Sequence, residues 1–371
     1  MNISKKINVC LIFGGRSGEH EVSLQSAKSI YDALDKTKYN VFLVGIDKSG
    51  KWLLGNASNY LLNETNPKLI ALNNANDVLI ITAISKKNNT QLISVQSGKE
   101  MGSIDVFFPI IHGTYGEDGC LQGMMEMLNV AYVGAGVIGS AIGMDKDVMK
   151  RLLNYSGIKT AHFSCIHKHE ATKAYIDTVV QQFTYPFFVK PANSGSSVGI
   201  SKVHNPKELE KAIQDAFQYD TKILIEEYIK GREIECAILG NHNPKASIPG
   251  EIIPQHEFYS YEAKYIDENG ALLKLPAELT QEQIKQIQQT AINAFTVLEC
   301  SGMARVDFFL KDNGEVVLNE INTIPGFTKI SMYPKLWNLS GVSYSELIDE
   351  LIKLALEKKQ EENSLKRTYT I

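Results

Sequence analysis

The chain has 371 residues, a formal net charge of −4, 44% hydrophobic residues and 22% charged residues. This length and composition are ordinary for a globular protein of two or three domains. The charge balance argues against a nucleic-acid partner, which needs clustered Lys and Arg. No apolar run approaches the roughly 20 residues of a membrane-spanning helix.

The five cysteines are widely spaced and form no Cys-x-x-Cys pair. This spacing disfavours both a disulfide framework and a zinc site. The N-terminal residues lead directly into a predicted strand instead of a signal peptide. We therefore expect a cytoplasmic protein with reduced, packed cysteines and with neither a nucleic acid nor a membrane as partner.

The first third of the chain has the pattern of a doubly wound α/β domain, in which buried strands alternate with helices. In chain order we predict a strand at 7–13, a helix at 22–34, a strand at 39–46, a strand at 106–111, a helix at 121–128 and a strand at 131–133. The Asn- and Ser-rich stretch 54–102 has weaker strand signals, and we expect it to be peripheral.

A glycine motif, Gly134-Ala-Gly136-Val-Ile-Gly139, follows the last of these strands. Alone it would indicate a dinucleotide fold and a nicotinamide-dependent reductase. Such a fold also needs an acidic residue about 20 positions further on, after the next strand. Residues 155–165 contain none. We therefore interpret the motif as a turn and keep the reductase as a minority alternative.

The middle of the chain predicts a small α+β domain. Its elements are a helix at 145–155, strands at 187–190 and 198–203, a helix at 206–218, and strands at 222–227 and 233–239. The loop at 190–199 begins with Lys190 and is rich in Gly and Ser, so its N–H groups and the lysine could hold phosphates. Lys146, Glu226 and Glu233 could supply other parts of a nucleotide site.

The C-terminal part predicts a loop at 255–268, a helix at 281–297, a hairpin at 303–322 and an amphipathic helix from 344 onward. In the hairpin, Asn313-Gly314 is a strong signal for a two-residue turn. Counting outward from that turn puts three pairs face to face: Asp312 with Glu315, Asp307 with Glu320, and Arg305 with Asn322.

Facing carboxylates repel each other across a sheet unless a cation lies between them. Mg²⁺ is commonly held by one or two carboxylates together with substrate phosphates. The hairpin therefore predicts a Mg²⁺ site at Asp307, Glu320 and Asn322, with Arg305 on the same face. The alternative is a solvated hairpin with scattered charges.

Seven short blocks follow one another along the chain: 14–24 (GGRSGEHEVSL), 112–119 (HGTYGEDG), 144–146 (MDK), 190–199 (KPANSGSSVG), 261–265 (YEAKY), 305–307 (RVD) and 320–334 (EINTIPGFTKISMYP). In this order the chain resembles the D-alanine–D-alanine ligases of the ATP-grasp superfamily. The resemblance implies an α/β fold in which an N-terminal substrate-binding domain precedes a two-domain ATP-grasp core. The expected ranges are 1–134, a central domain at 135–227 and a C-terminal domain at 228–371.

The resemblance also implies a reaction. ATP would phosphorylate the carboxylate of one D-alanine, and the amine of a second would attack the acyl phosphate. The product, D-alanyl-D-alanine, is a peptidoglycan precursor. Two Mg²⁺ ions, for which Mn²⁺ could substitute, would lie at Asp307, Glu320 and Asn322. The family is usually a cytoplasmic homodimer.

Further roles follow from the matched blocks. The residues expected in catalysis are Glu19, Ser196, Tyr265, Arg305 and Gly326. Those expected to bind D-alanine are His112, Ser331 and Met332. Those expected to bind ATP are Lys146, Lys190, Ser197, Glu226, Glu227, Tyr228, Ile229, Glu233 and Lys264. Arg305 and the Gly326 N–H would stabilise the tetrahedral oxyanion, and closure of the active-site loop would exclude water.

Two positions depart from the family pattern. Glu227 stands where many relatives have Lys, and Lys329 is atypical beside the second D-alanine site. The nearest alternative is a D-alanine–D-serine ligase. A nucleotide-binding module without catalysis is a further one, but it would require damage to the metal or oxyanion residues, and all of them are present.

Overall fold

The computed structural model describes residues 5–55, 60–64, 66–67, 69–73, 77–84, 89–254 and 271–367. Within these ranges, three main sheets follow one another along the chain. They fall in the three predicted domain ranges, whose boundaries stay a prediction. In the described part of the chain, no helix combines the length and apolar character needed to cross a bilayer.

The first sheet has eight strands among the described residues. They are β1 (Ile7–Gly14), β2 (Tyr39–Ile46), β3 (Trp52–Gly55), β6 (Asp77–Ile84), β7 (Asn89–Ser94), β8 (Glu100–Ile104), β9 (Val106–Pro109) and β10 (Ala131–Tyr132). Two short strands, β4 (Leu61–Leu62) and β5 (Ala71–Leu72), pair separately.

The order across the first sheet is β10-β9-β1-β2-β3-β6-β7-β8. The pairs β10–β9, β9–β1 and β1–β2 are parallel, and the rest are antiparallel. The predicted parallel sheet is thus confirmed, and the stretch predicted to be peripheral extends it. Alternate residues of β1 face opposite cores: Val9 and Leu11 pack with helix α1 (His20–Ala33), whereas Cys10 and Ile12 pack with α2 (Cys120–Met127).

A helix stands where the sequence predicts only a turn. The turn interpretation holds at Gly134, which lies in a bend with φ +101°, but it misses helix α3 (Val137–Met144), which begins directly after Gly136. Gly139 lies inside this helix, and a Cβ there would come within 2.5 Å of the Glu299 carbonyl oxygen. The glycine is therefore required by close backbone packing, which explains the motif without a dinucleotide.

The second sheet has the order β11-β14-β12-β13 and is antiparallel. Its elements are β11 (Phe163–His167), β12 (Phe187–Pro191), β13 (Ser201–Val203), β14 (Lys222–Glu227), and helices α4 (Lys146–Tyr155), α5 (Lys173–Val180) and α6 (Pro206–Ala216). Strand β11 is not predicted from the sequence because only Ile166 in it is fully buried. The apolar alternation that marks a strand is therefore missing.

The third sheet has the order β18-β17-β15-β19-β20, with β16 beside β15. Its elements are β15 (Arg232–Gly240), β16 (Lys245–Ala246), β17 (Gly250–Pro254), β18 (Ala271–Lys274), β19 (Gly302–Leu310), β20 (Val316–Asn322), and helices α7 (Gln281–Val297), α8 (Met332–Leu339) and α9 (Tyr344–Ser364). Ile234 and Cys236 face a core with α7, and Ala237 and Leu239 face a core with α8 and α9. One continuous core joins the α1 face of the first sheet to α8 and α9.

The hairpin of β19 and β20 reaches the predicted register by a different route. Its turn has three residues: Lys311 pairs with Glu315, and Gly314 has φ +85°, which suits glycine. The predicted Asp312–Glu315 pair is therefore wrong. A bulge at Asn319 adds one residue to β20 and restores the pairing of Asp307 with Glu320.

Candidate active site

A cleft opens where the polar face of β19 and β20 meets loops from the other two sheets. The predicted site residues that line it are Glu19, Lys146, Ser196, Glu233, Arg305, Asp307, Glu320, Asn322, Gly326, Ser331 and Met332. Residues separated by more than 300 positions in the chain thus converge on one surface. The third sheet supplies the base of the cleft, and the loops supply its walls.

The Arg305 guanidinium lies between two carboxylates. Its Nε and Nη2 donate to the two Asp307 oxygens at 2.8 and 2.7 Å, and Nε lies 2.9 Å from Glu235 Oε2. Charge-assisted bonds of this kind hold a planar guanidinium in a defined orientation. Arg305 is therefore a fixed positive charge that can stabilise negative charge developing in the cleft.

Asp307 and Glu320 face each other across the bulged hairpin. Asn322 Nδ2 donates to Asp307 at 3.0 Å, and Lys146 Nζ lies 3.8 Å from Glu320 Oε2. Within the described ranges, no cluster of three or more His, Cys, Asp or Glu side chains could hold a metal ion. Two carboxylates and an amide suit instead a hard cation that takes its remaining ligands from phosphate and water.

Glu19 connects the first sheet to the loop after β12. It precedes α1 and is 7% exposed, and its Oε1 accepts a hydrogen bond from the Ser196 hydroxyl. A Cβ on Gly113 or Gly195 would approach Glu19 Oε2 to 2.8 or 2.7 Å, respectively. The backbone at both glycines therefore encloses the carboxylate and leaves no room for larger residues.

His112 does not reach the lining of the cleft. Its Nδ1 lies 2.9 Å from the Ile324 carbonyl oxygen and its Nε2 lies 3.3 Å from Ser26 Oγ. Burial lowers its pKa below the ordinary value, so the ring is neutral and Nδ1 carries the proton that is donated to the carbonyl. His112 thus supports the segment after β20 from below.

The sequence interpretation missed Glu117, although it belongs to the second block of the resemblance, at 112–119. Its Oε2 accepts from the Gly113 N–H at 2.8 Å and its Oε1 accepts from the Ile324 N–H at 2.9 Å. Burial, reinforced by the charge of Glu19, raises the pKa of Glu117 to about 8. This carboxyl group therefore joins two walls of the cleft, and its burial beside Glu19 favours the protonated form.

Glu117→Gln is expected to flatten the pH dependence of stability. The folded protein keeps this proton up to about pH 8, whereas an unfolded chain releases it near the ordinary pKa of 4.5. Stability therefore falls as the pH rises between these values. The variant should lose fewer degrees of melting temperature than the unmodified chain between about pH 5 and pH 8. Asp118→Asn is the matched control, and equal slopes for all three proteins would contradict the assignment.

The segment after β20 positions Gly326, Ser331 and Met332. The Thr328 N–H donates to Ser331 Oγ at 3.0 Å, and a Cβ on Gly326 would lie 2.7 Å from the same oxygen. Ser331 immediately precedes α8, whose first residue is Met332. Free N–H groups and a hydroxyl at a helix start favour a carboxylate ligand.

Two predicted nucleotide residues are paired with each other and are absent from the cleft lining. Lys190 Nζ lies 2.5 Å from Glu226 Oε1, and Lys150 Nζ lies 2.9 Å from Glu226 Oε2. Burial opposes ionisation of Glu226, but Lys150 and Lys190 outweigh it and lower its pKa to about 2. The sequence interpretation missed Lys150, which lies one helical turn after Lys146 on α4.

The side chains of Glu227, Tyr228 and Ile229, at the end of β14, have different surroundings. Glu227 Oε1 accepts from the His162 N–H at 2.7 Å, so this departure from the family pattern joins β14 to the start of β11. Tyr228 is exposed and carries the Lys202 ammonium over its ring at 4.3 Å. Ile229 is buried against Ala161. The side chains of Glu227 and Ile229 therefore have structural contacts of their own.

The loop after β12 holds two serines in the left-handed region, Ser196 with φ +49° and Ser197 with φ +62°. Such a backbone is uncommon for residues other than glycine and is typical of functional loops. Tyr265, Lys264 and the predicted loop at 255–268 lie outside the described residues, so their roles stay predictions.

The sequence interpretation also missed Glu235. This residue follows Glu233 by two positions on β15, so the two side chains share one face of the sheet.

Comparisons with known proteins agree on one family. The N-terminal model "D-ala D-ala ligase N-terminus" matches residues 8–135, and "D-ala D-ala ligase C-terminus" matches residues 152–353. A D-alanine–D-alanine ligase of Oceanobacillus iheyensis is 54% identical over 97% of this chain and 98% of its own length. D-alanine–D-alanine ligase A of Escherichia coli is 50% identical over 98% of this chain and its full length.

Solved structures give the same result. The D-alanine–D-alanine ligase of Coxiella burnetii superposes with a TM-score of 0.83 at 39% identity, covering 97% of both chains. The VanG D-Ala:D-Ser ligase of Enterococcus faecalis superposes with a TM-score of 0.82 at 34% identity, covering 95% of this chain and all of that one.

Proposed function

This chain belongs to the D-alanine–D-alanine ligase family, which is ATP-dependent and has the ATP-grasp fold, and we propose that the cleft of Arg305, Asp307 and Glu320 is where it joins two D-alanines. The main support for this proposal is that a fixed arginine, two facing carboxylates and Lys146 converge on one surface. This arrangement can neutralise phosphate charge and stabilise a developing oxyanion at adjacent points.

We propose that Asp307, Glu320 and Asn322 hold two Mg²⁺ ions, or Mn²⁺ in their place. The donor set fits, because both carboxylates face the same space and Asn322 uses its Nδ2 toward Asp307, leaving Oδ1 as a ligand atom. The ions would neutralise the negative charge of the ATP phosphates. Lys146, which already lies near Glu320, would add a further positive charge.

The first D-alanine would bind between Glu19 and Arg305. The enclosed Glu19 carboxylate matches an ammonium, and Ser196 orients that carboxylate through its hydrogen bond. ATP supplies the phosphoryl group that activates the carboxylate of the bound D-alanine. Arg305 and the Gly326 N–H would then stabilise the oxyanion formed when the second amine attacks.

The second D-alanine would place its carboxylate at the start of α8. Ser331 offers a hydroxyl there, and Met332 opens the helix with an N–H that has no partner in the preceding turn of the helix. His112 would act indirectly, because it holds the Ile324 carbonyl beneath this segment. Tyr265 and Lys264 would complete the site from the active-site loop.

The nucleotide would lie between the second and third sheets. We propose that Lys146, Lys190, Ser197 and Lys264 contact its phosphates, with the base near Glu226 and its flanking backbone at Glu227, Tyr228 and Ile229. Glu233 would hold the ribose hydroxyls. We further propose a cytoplasmic homodimer acting in peptidoglycan precursor synthesis, and gel filtration with light scattering tests the dimer.

Phosphate release from ATP tests the proposed function and the choice of acceptor. The purified chain is incubated with Mg-ATP and with D-alanine alone, or with D-alanine plus D-serine or D-lactate. We expect D-alanine alone to support turnover and D-alanyl-D-alanine to be the product by mass spectrometry. D-alanyl-D-serine as the main product would favour the VanG-type alternative. Binding of NAD(H) without turnover of ATP would overturn the proposal.

A further inference from the structure

Lys150 is a buried lysine for which the proposed function has no use. Its side chain is 1% exposed, and its Nζ lies 2.9 Å from Glu226 Oε2, whose side chain is 2% exposed. In the described part of the chain, that ammonium has no hydrogen-bond partner apart from this carboxylate. Desolvation of a fully buried charge with a single carboxylate partner is costly, so stability alone does not explain this pair.

The same carboxylate has a second cation. Lys190 Nζ lies 2.5 Å from Glu226 Oε1, and its side chain is 11% exposed. Two ammonium groups thus share one carboxylate, and the cluster carries an excess positive charge. Burial, together with the neighbouring Lys190, lowers the pKa of Lys150 although Glu226 opposes this effect. The cluster would be relieved if one lysine moved to another anion.

Lys190 is the lysine that can move. It ends β12, immediately before the Gly- and Ser-rich loop, and it is the more exposed of the two. Lys150 lies in the middle of α4, on the buried face of the helix. Departure of Lys190 would free Glu226 Oε1 while Lys150 kept Oε2 charged and fixed.

We propose that Lys150 is a positioning residue that holds Glu226 for the nucleotide base, so that the adenine 6-amino group takes the place of Lys190 on Glu226 and Lys190 becomes available to the phosphates. The proposal rests on the proposed ATP site. In this proposal base recognition and phosphate binding are coupled, because the amino group that binds Glu226 releases Lys190 to the phosphates. A carbonyl at position 6 accepts hydrogen bonds but cannot donate one to Glu226, so such a base would leave Lys190 in place.

The test compares ATP with ITP, whose base has a carbonyl in place of the amino group. Binding is measured by calorimetry with Mg²⁺ and without D-alanine, so no ligation takes place. The unmodified chain should bind ATP at least about 10-fold more tightly than ITP. Lys150→Met should weaken ATP binding at least about 10-fold and change ITP binding much less. Lys150→Arg, which keeps the charge, should retain most of the preference.

Two further variants separate positioning from general damage. If Lys150 acts through Glu226, Lys150→Met should have little further effect on ATP binding in a Glu226→Gln background. In this double variant both members of the Lys150–Glu226 pair are neutral, so it remains informative if Lys150→Met alone does not fold. Arg151→Met is the matched control, because Arg151 is 63% exposed on the next position of α4 and pairs with Asp147. It should leave both affinities unchanged.

The outcomes separate this inference from the proposed function. Absence of ATP binding and of phosphate release in the unmodified chain would overturn the proposed function itself. If the unmodified chain prefers ATP and makes D-alanyl-D-alanine, an equal loss of ATP and ITP binding in Lys150→Met would overturn only the inference. The inference would also be overturned if Lys150→Met weakened ATP binding as strongly in the Glu226→Gln background as in the unmodified chain. A selective rise in KM for ATP, with kcat and KM for D-alanine nearly unchanged, would support it.

Discussion

Glu320→Gln is expected to reduce turnover by at least about 100-fold while the fold stays intact. The glutamine has the same shape but lacks the negative charge that a Mg²⁺ ligand needs. Glu320 lies beside the bulge of β20, and its Oε2 lies 3.8 Å from Lys146 Nζ. Its loss should therefore disturb metal and phosphate binding far more than packing.

Turnover of Glu320→Gln is measured by phosphate release across a range of Mg²⁺ concentrations, and folding is monitored by circular dichroism and melting temperature. Asp312→Asn is the control, because Asp312 is an exposed carboxylate in the turn of the same hairpin. It should retain full activity. Near-normal turnover of Glu320→Gln at low Mg²⁺ would refute the proposed metal site.

Arg305→Met should lower both turnover and stability. Loss of the guanidinium removes the proposed oxyanion donor, which is worth about 100- to 1000-fold in turnover. It also leaves Glu235 and Asp307, which face each other across β15 and β19, without the arginine between them. Their mutual repulsion should lower the melting temperature by several degrees.

The two effects of Arg305 can be separated. The double variant Glu235→Gln/Arg305→Met should regain much of the melting temperature but none of the turnover, because it removes repulsion without restoring the donor. Arg232→Met is the control for the loss of an arginine–glutamate pair on the same sheet. Arg232 Nη2 lies 2.6 Å from Glu251 Oε2, and neither residue lines the cleft. Full activity of Arg305→Met would exclude the oxyanion role.

The hairpin shows how far local patterns reach. Alternating side chains and an Asn-Gly signal were enough to predict which residues of β19 and β20 face each other at the site. They could not reveal a three-residue turn or the compensating bulge at Asn319, because both depend on backbone geometry shared between the strands. The predicted pairing of Asp307 with Glu320 is nevertheless correct, because the extra residue in the turn and the extra residue at the bulge cancel each other.

The remaining differences have a common physical origin. Strand β11 and helix α3 are defined by contacts with distant segments, such as the packing of Gly139 on Glu299, and not by their own periodicity. Glu117 likewise gains its role from Ile324, more than 200 positions away. The proposed metal pair can be predicted from residues on one hairpin, whereas the proposed roles of Ser196 and Ser331 depend on the family resemblance.

The continuous core between the first sheet and helices α8 and α9 has a mechanical consequence. Residues such as Leu24 and Leu351 belong to one packed cluster, so the first and third sheets form a single base. The second sheet has a separate core around Ile166 and Val189. Among the described residues it meets the third sheet at a small cluster around Ile229, while helix α4 packs into the core of the third sheet through Met149 and Leu153. We therefore expect the nucleotide to enter and leave by a hinge motion of the second sheet relative to the other two.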